Sequence, residues 1–420
     1  MEVEINHLKM DEKLIELTNE YWEDMFQRKR DGRLVAWCAS ISPFQILNAM
    51  DIGVAFYDLY SCFCSAANLS GELCERAEAI GYSPDLCSVV RSFVGFISGT
   101  PPEEAHRYPF GGLPEPDLLL CMPYCPGIYK MFEKYSRYYN VPLLHVERPR
   151  IHDALTKDQV DHLVKDGVEE LKELIAWLEK FTGRKFDYDL LSEKLALEWE
   201  TSALVLEGLD MCRNIPAPMS GYDGFMHQLV WGIFRGTPET VNYYKELNAE
   251  LAERVAQKIG PLVGIEEKYR LYWDNLPVYF KTEELTKKFG SYGAVLACAG
   301  FAYWLTFHSQ VSLDDPLKAI IELHVLNEGA NRGLTGRIDW LTKLSEGYSL
   351  DGFVMQRSRN CLMSNMGQDD IMKAVSEKTG LPAVVIEGDQ CDPRYYSDSE
   401  VYGKLDAFME IVEKRGPRRG

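Results

Sequence analysis

The chain has 420 residues, 46% of them apolar, which suits two or three folded domains and excludes a disordered chain. Lys and Arg total 45 against 64 Asp and Glu, a net charge of −19 that argues against broad binding to a nucleic-acid backbone. A small anionic ligand, held by a few local donors, remains compatible with that balance.

The opening residues mix charged and apolar side chains, so no secretory signal is expected. The longest apolar stretch, 294–307, is shorter than the roughly 20 residues a membrane helix needs. A cytoplasmic protein with neither membrane nor nucleic acid as partner is expected.

In chain order, residues 11–30 form an amphipathic helical arm. Short apolar runs rich in β-formers follow at 34–38, 54–59, 118–122 and 143–146, separated by helix patterns such as 71–81 and 127–139. Strands alternating with helices imply a parallel sheet covered on both faces. The middle is helical. Thr156 and Gln159 form a capping-box pattern opening a stripe from Val160 to Leu178, with Gly183 as the stop. A second helix spans about 189–211. Pro238 starts a third, ended by Gly260-Pro261. Strand patterns return at 269–273, 295–298, 352–356 and 383–387, with helices at 369–378 and 400–414, and the basic tail 414–419 reads as a solvated terminus. The expected fold is α/β: a helical arm (1–30), a doubly wound parallel-sheet lobe (31–152), a helical insert (153–262) and a second such lobe (263–420).

Eleven cysteines in a reducing compartment should not be a disulfide framework. Open parallel sheets bind ligands outside the carboxyl ends of their strands. Cys121 falls late in a strand and Cys125 just past it. Cys361 falls just past a strand of the other lobe, and Cys87 in a turn before an apolar helix. Thiolates are soft ligands that suit zinc, copper or iron–sulfur clusters. Three of them on a four-iron cluster would leave one iron open to water or substrate. Spacing alone does not separate this from ordinary buried or loop cysteines, because Cys-x3-Cys is neither a ferredoxin run nor a zinc pair.

Other patterns carry two readings each. Residues 387–394 (EGDQCDPR) either hold polar groups at a cleft mouth or form a turn at Asp392-Pro393 with Cys391 buried. Arg357 and Arg359 either contact phosphates or tune a cluster, or belong to a salt-bridged loop. Ser40 and Ser42 either face a substrate or cap a helix. Ser40, Ser42 and Arg359 are the only catalytic candidates, and none has an assigned role. No His pair has metal-ligand spacing, and no Walker-A motif occurs.

Residues 118–149 (LLLCMPYCPGIYKMFEKYSRYYNVPLLHVERP), Cys87 in DLCSVVRSFVG, YRLYWDNLPVYF at 269–280, and the C-terminal run RSRNC, GQDDI, GLPAVVIEGDQCDPRYYSD and KLDAFMEIVE resemble the 2-hydroxyacyl-CoA dehydratase / benzoyl-CoA reductase family. The resemblance covers most of residues 30–415. It implies two flavodoxin-like lobes with a [4Fe–4S] cluster between them, held by Cys87, Cys125 and Cys361. It also implies a heterodimer with a homologous second subunit, a separate ATP-dependent activator as electron donor, and an acyl-CoA substrate. One electron placed on the thioester carbonyl would give a ketyl radical that expels the α-hydroxyl of an (R)-2-hydroxyacyl-CoA, yielding a 2-enoyl-CoA. The alternatives are a benzoyl-CoA reductase subunit, a double-cubane cluster reductase, and a cluster-free binding module on the same fold. The chain departs from the family upstream: many members carry Pro-x-Glu after the first strand, whereas Pro43 is followed by Phe44 and Gln45.

Overall fold

The computed structural model describes residues 3–148, 152–303, 311–325 and 333–418. Residues 304–307 of the long apolar stretch and Arg419 of the basic tail lie outside them.

Two four-stranded sheets form, each wholly parallel. The first has the order β2 (Gly53–Phe56), β1 (Val35–Cys38), β3 (Leu118–Cys121), β4 (Leu143–His145). The second has the order β6 (Ala294–Ala299), β5 (Tyr269–Asp274), β7 (Gly352–Ser358), β8 (Ala383–Gly388). These are the two doubly wound lobes expected. In both, the first and third strands of the sheet are neighbours, so each lobe has its topological switch point there. Alternation along β5 shows how the second sheet is covered: Leu271 and Trp273 enter one core while Tyr272, between them, enters another.

Sixteen α-helices are found among the described residues. α1 (Met10–Arg30) is the arm. α2 (Gln45–Ala49), α3 (Tyr57–Ala66), α4 (Ser70–Ala79), α5 (Ser88–Gly99) and α6 (Pro126–Tyr139) belong to the first lobe. α7 (Lys157–Thr182), α8 (Tyr188–Met211), α9 (Gly221–Ile233) and α10 (Pro238–Gln257) lie between the lobes in sequence. α11 (Thr282–Gly290), α12 (Pro316–Val325), α13 (Leu334–Gly347), α14 (Leu362–Asn365), α15 (Gln368–Thr379) and α16 (Asp398–Arg415) follow. The capping box of Thr156 and Gln159 is formed, and Gly183 ends α7 in the left-handed region at φ 70°.

The lobes are stitched together rather than strung. The lower half of α1 places Leu14 and Leu17 in one core, and its upper half places Tyr21, Trp22 and Met25 in the other. Glu250 accepts the N–H groups of Lys9 and Met10 at 2.8 and 3.0 Å, satisfying the start of α1 from α10. Ile320 and Ile321 of α12, though late in the chain, pack in the first lobe's core. No described helix is long and apolar enough to cross a membrane.

β2 ends at Phe56, where the sequence reads a strand through residue 59. Tyr57, Asp58 and Leu59 instead open α3.

Candidate active site

Cys87, Cys125 and Cys361 each occupy the residue before a helix. Cys87 precedes α5, Cys125 precedes α6 with Pro126 as its first residue, and Cys361 precedes the short turn α14. Pro126 starts α6 because its fixed φ suits a first helical turn and its missing N–H costs nothing there. The orphan N–H groups and dipole at the start of α5 and α6 favour a thiolate. All three thiols are half-buried, whereas Cys121 and Cys391 are fully buried. The Cys391 thiol points to the Ser61 carbonyl at 3.7 Å. Burial pushes the Cys87 thiol well above its ordinary range, and the neighbouring Cys361 and Cys125 thiols push it further.

Cys87 thus stands within electrostatic reach of each of the other two thiols, and as anions they would repel it unless a cation lay among them. Among the described residues no three His, Cys, Asp or Glu side chains are grouped closely enough for a single metal ion. A four-iron cluster takes each thiolate on a different iron, so its ligands stand further apart than those of one ion. Half-buried thiols from both lobes have the soft donor chemistry that such a cluster takes.

Asp274, at the end of β5, ties that strand to α13 and α15. It accepts from Arg337 Nη2 at 2.8 Å, from Gln368 Nε2 at 3.2 Å and from the Tyr272 hydroxyl at 3.2 Å. Gln368 Nε2 also donates to the Gln356 carbonyl at 2.9 Å. Gly367, at φ 78°, turns the chain so that Gln368 enters this network. That is the work of the GQDDI segment. Arg357 is spent on Asp369 and Glu387, the salt-bridged alternative. Arg359 lays its guanidinium over the Tyr395 ring, 5.1 Å from the centroid.

The two serines after β1 part company, and neither caps a helix. Ser42 is fully buried. Its Oγ accepts from Met122 N at 3.1 Å and lies 3.4 Å from the Leu120 carbonyl, so it ties β1 to the end of β3. Ser40 donates from Oγ to Asp58 Oδ2 at 2.6 Å, and its backbone N–H points to the same carboxylate. Burial lifts the Asp58 carboxyl above the ordinary range against those hydrogen bonds. Its charge in turn raises Tyr124, next to Cys125, after burial has done most of the work, with Cys125 and Cys87 adding to it. The Tyr124 and Tyr57 hydroxyls meet at 3.4 Å.

Ser40 and Asp58 therefore stand beside the Cys125 loop at the carboxyl ends of β1 and β2. Sequence reasoning missed Asp58 because it was read inside a strand. With β2 ending at Phe56, the strand-end rule points straight at it.

Gln45, the departure from Pro-x-Glu, faces inward. Its Nε2 donates to both oxygens of the buried Glu198, at 3.2 and 3.1 Å. A glutamate there would set two carboxylates against each other. Glu198 is also 3.4 Å from Arg235 Nε. Burial lifts its pKa to about 7, with Arg235 and Gln45 pulling it down.

The architecture is that of a two-lobe α/β protein with a thiol-lined site where strand ends from both lobes meet. The family profile described as 2-hydroxyglutaryl-CoA dehydratase, D-component, matches residues 39–412. The chain belongs to that family. It is 27% identical over 403 residues to the (R)-2-hydroxyisocaproyl-CoA dehydratase alpha subunit of Clostridioides difficile, covering 95% of each chain. It is 30% identical over 357 residues to a benzoyl-CoA reductase subunit of Thauera aromatica, covering 82% of this chain and 81% of that one. To the lactoyl-CoA dehydratase subunit alpha of Anaerotignum propionicum it is 24% identical over 406 residues, covering 93% of each.

Proposed function

We propose that the chain is one subunit of an (R)-2-hydroxyacyl-CoA dehydratase, with a [4Fe–4S] cluster held by Cys87, Cys125 and Cys361. The observation that carries the reading is the convergence of three half-buried thiols, each immediately before a helix, from both lobes of a family member. When bound, the cluster supplies an electron and an open, Lewis-acidic iron for the thioester carbonyl.

The chain's own residues supply the rest. The Ser40–Asp58 pair lies beside the Tyr124–Cys125 loop. Asp58 Oδ2 receives the Ser40 proton in a 2.6 Å hydrogen bond, which leaves the Ser40 oxygen's lone pairs facing away from Asp58. Burial raises the Asp58 carboxyl above an ordinary aspartate, the direction that suits a group that takes up and returns a proton. Ser40 and Asp58 are assigned as the proton station. The aromatic pair Tyr57 and Tyr124 walls that side and limits water.

Relatives that are themselves named as single subunits of a dehydratase or a reductase support a heterodimer. A homologous second chain and an ATP-dependent activator are the expected partners, with an acyl-CoA as substrate.

Membership of a benzoyl-CoA reductase is the second reading, favoured by the 30% identity to a subunit of such an enzyme. Iron and acid-labile sulfide per chain, measured after anaerobic purification with the neighbouring subunit, test the first step. About four irons per chain, lost in Cys125→Ser, are expected. Near-zero iron in a folded chain overturns the cluster. Dehydration of lactyl-, 2-hydroxyglutaryl- or phenyllactyl-CoA, against ATP-coupled reduction of benzoyl-CoA, then separates the two readings.

A further inference from the structure

The structure assigns Arg91, Asp392 and Tyr395 as a positioning lock that sets the Cys87 thiol against the Cys361 thiol across the boundary between the lobes. The reading of those thiols as cluster ligands rests on the function proposed above, but the lock itself does not.

Arg91 lies one turn into α5, the helix that Cys87 precedes, and is fully buried. Its Nε donates to the carbonyl of Leu86, the residue before Cys87, at 2.8 Å. Its Nη1 donates to Glu78 at 2.6 Å and to Asp392 Oδ2 at 2.8 Å. Asp392 belongs to the other lobe, in the turn after β8, and is also fully buried. That turn is rigid. Asp389 Oδ1 accepts the N–H groups of Cys391 and Asp392 at 3.1 Å each, and Asp392 Oδ1 accepts Arg394 N and Nε at 3.1 and 2.9 Å. The EGDQCDPR segment is therefore a turn, as one reading held, and its side chains reach across to the first lobe.

A second strut runs parallel to the ion pair. The Pro84 carbonyl, three residues before Cys87, accepts the Tyr395 hydroxyl at 3.3 Å and Asn360 Nδ2 at 3.2 Å. Asn360 is the residue before Cys361. Two guanidinium groups approach the Tyr395 ring, Arg91 at 5.9 Å and Arg359 at 5.1 Å from its centroid. Arg359 is anchored by its own N–H to the Gly388 carbonyl at 3.1 Å. The backbone just before each thiol is thus pinned to the same few side chains.

Ion pairs with both partners out of water add little net stability compared with apolar residues of the same shape, and their best-attested use is to fix a geometry. Removing Asp392 leaves Arg91 with Glu78 of its own lobe alone and takes away the charged link to the second lobe, so the joint should loosen. Arg91 and Asp392 touch no reacting atom on this account and act only through the two cysteines.

The test is the rate at which a short bismaleimide joins Cys87 to Cys361 in the full chain after chelator treatment, with peptide mapping to exclude the other cysteines. Asp392→Asn and Tyr395→Leu are expected to slow that cross-link at least about tenfold at unchanged helix content, and Arg91→Lys to slow it less. Asp406→Asn breaks the Lys288–Asp406 pair on the outer surface and should leave the rate as it is. Tyr395→Phe, which loses only the hydroxyl, serves if Asp392→Asn does not fold, and should slow it a few-fold. Wild-type rates in folded Asp392→Asn and Tyr395→Leu, or no Cys87–Cys361 product in the wild type, overturn the lock. In iron-loaded protein the same variants should shift the midpoint potential and the electron-paramagnetic spectrum. A chain that cross-links as expected but takes up no iron would retain the lock and remove the cluster.

Discussion

Ser40 donates its hydroxyl proton to Asp58 Oδ2 across 2.6 Å, joining the end of β1 to the start of the helix after β2. Removing the carboxylate should stop proton traffic without disturbing the thiols. Asp58→Asn is expected to retain its iron and lower kcat by on the order of a hundredfold or more. Ser40→Ala should fall between that variant and the wild type. Steady-state kinetics beside iron analysis decide this, and an Asp58→Asn enzyme with full kcat removes the assignment.

Ligand cysteines and core cysteines should separate cleanly on substitution. Cys87→Ser and Cys361→Ser are expected to lose iron as Cys125→Ser does, whereas Cys121→Ser and Cys391→Ser keep it and lose only stability. The burial of Cys121 and Cys391, with no surface at all, is the reason. Iron content and thermal melting of the five variants give the answer.

Gly95 lets α5 lie directly on α4. A Cβ at that position would stand 1.8 Å from the Leu73 carbonyl oxygen, which is backbone and cannot swing aside. Gly95→Ala is expected to cost about 3 kcal/mol, the upper end of overpacking. Because α5 follows Cys87, the variant should also bind iron less tightly. Urea melts and iron titration measure both.

Glu198 makes stability depend on pH. Its folded pKa, about 7, lies above the ordinary 4.5, so between those values the folded state holds a proton that the unfolded chain has lost. Stability from this group is therefore present below about 4.5, falls as pH rises to about 7 and is level above. The full drop is roughly 3 kcal/mol. In Glu198→Gln the difference in melting temperature from wild type should follow that curve, with the variant gaining as pH rises. A difference that is flat from pH 4.5 to 7.5 contradicts it.

Much of the scaffold was legible in the chain. All eight expected strands form, because short runs such as 118–122 are apolar and bounded by turn residues. Helix α9 was not legible. It is buried around most of its circumference, so Tyr222, Val230 and Trp231 make no single stripe, and its capping pair is Ser220 with Asp223 in place of the usual glutamate. The strand-end rule offered Cys87, Cys121, Cys125 and Cys361, and only family likeness singled out Cys87, Cys125 and Cys361 as the proposed ligands. They sit before three separate helices, so no local spacing links them. Arg91 and Asp392 are 301 residues apart, and only the folded chain brings them together.

The two sheets repeat one strand order, and Cys125 and Cys361 follow its third strand in the two copies. A strictly twofold plan delivers thiols in pairs, and a third must come from a break in the repeat. Cys87 is that break: it lies in the crossover between β2 and β3, and the matching crossover, residues 300–351, contains no cysteine. A faithful second copy would have closed the site with a fourth thiol. On the proposed cluster, the divergence of the two crossovers would leave one corner for a ligand that is not protein, and that asymmetry would let a structural repeat bind substrate.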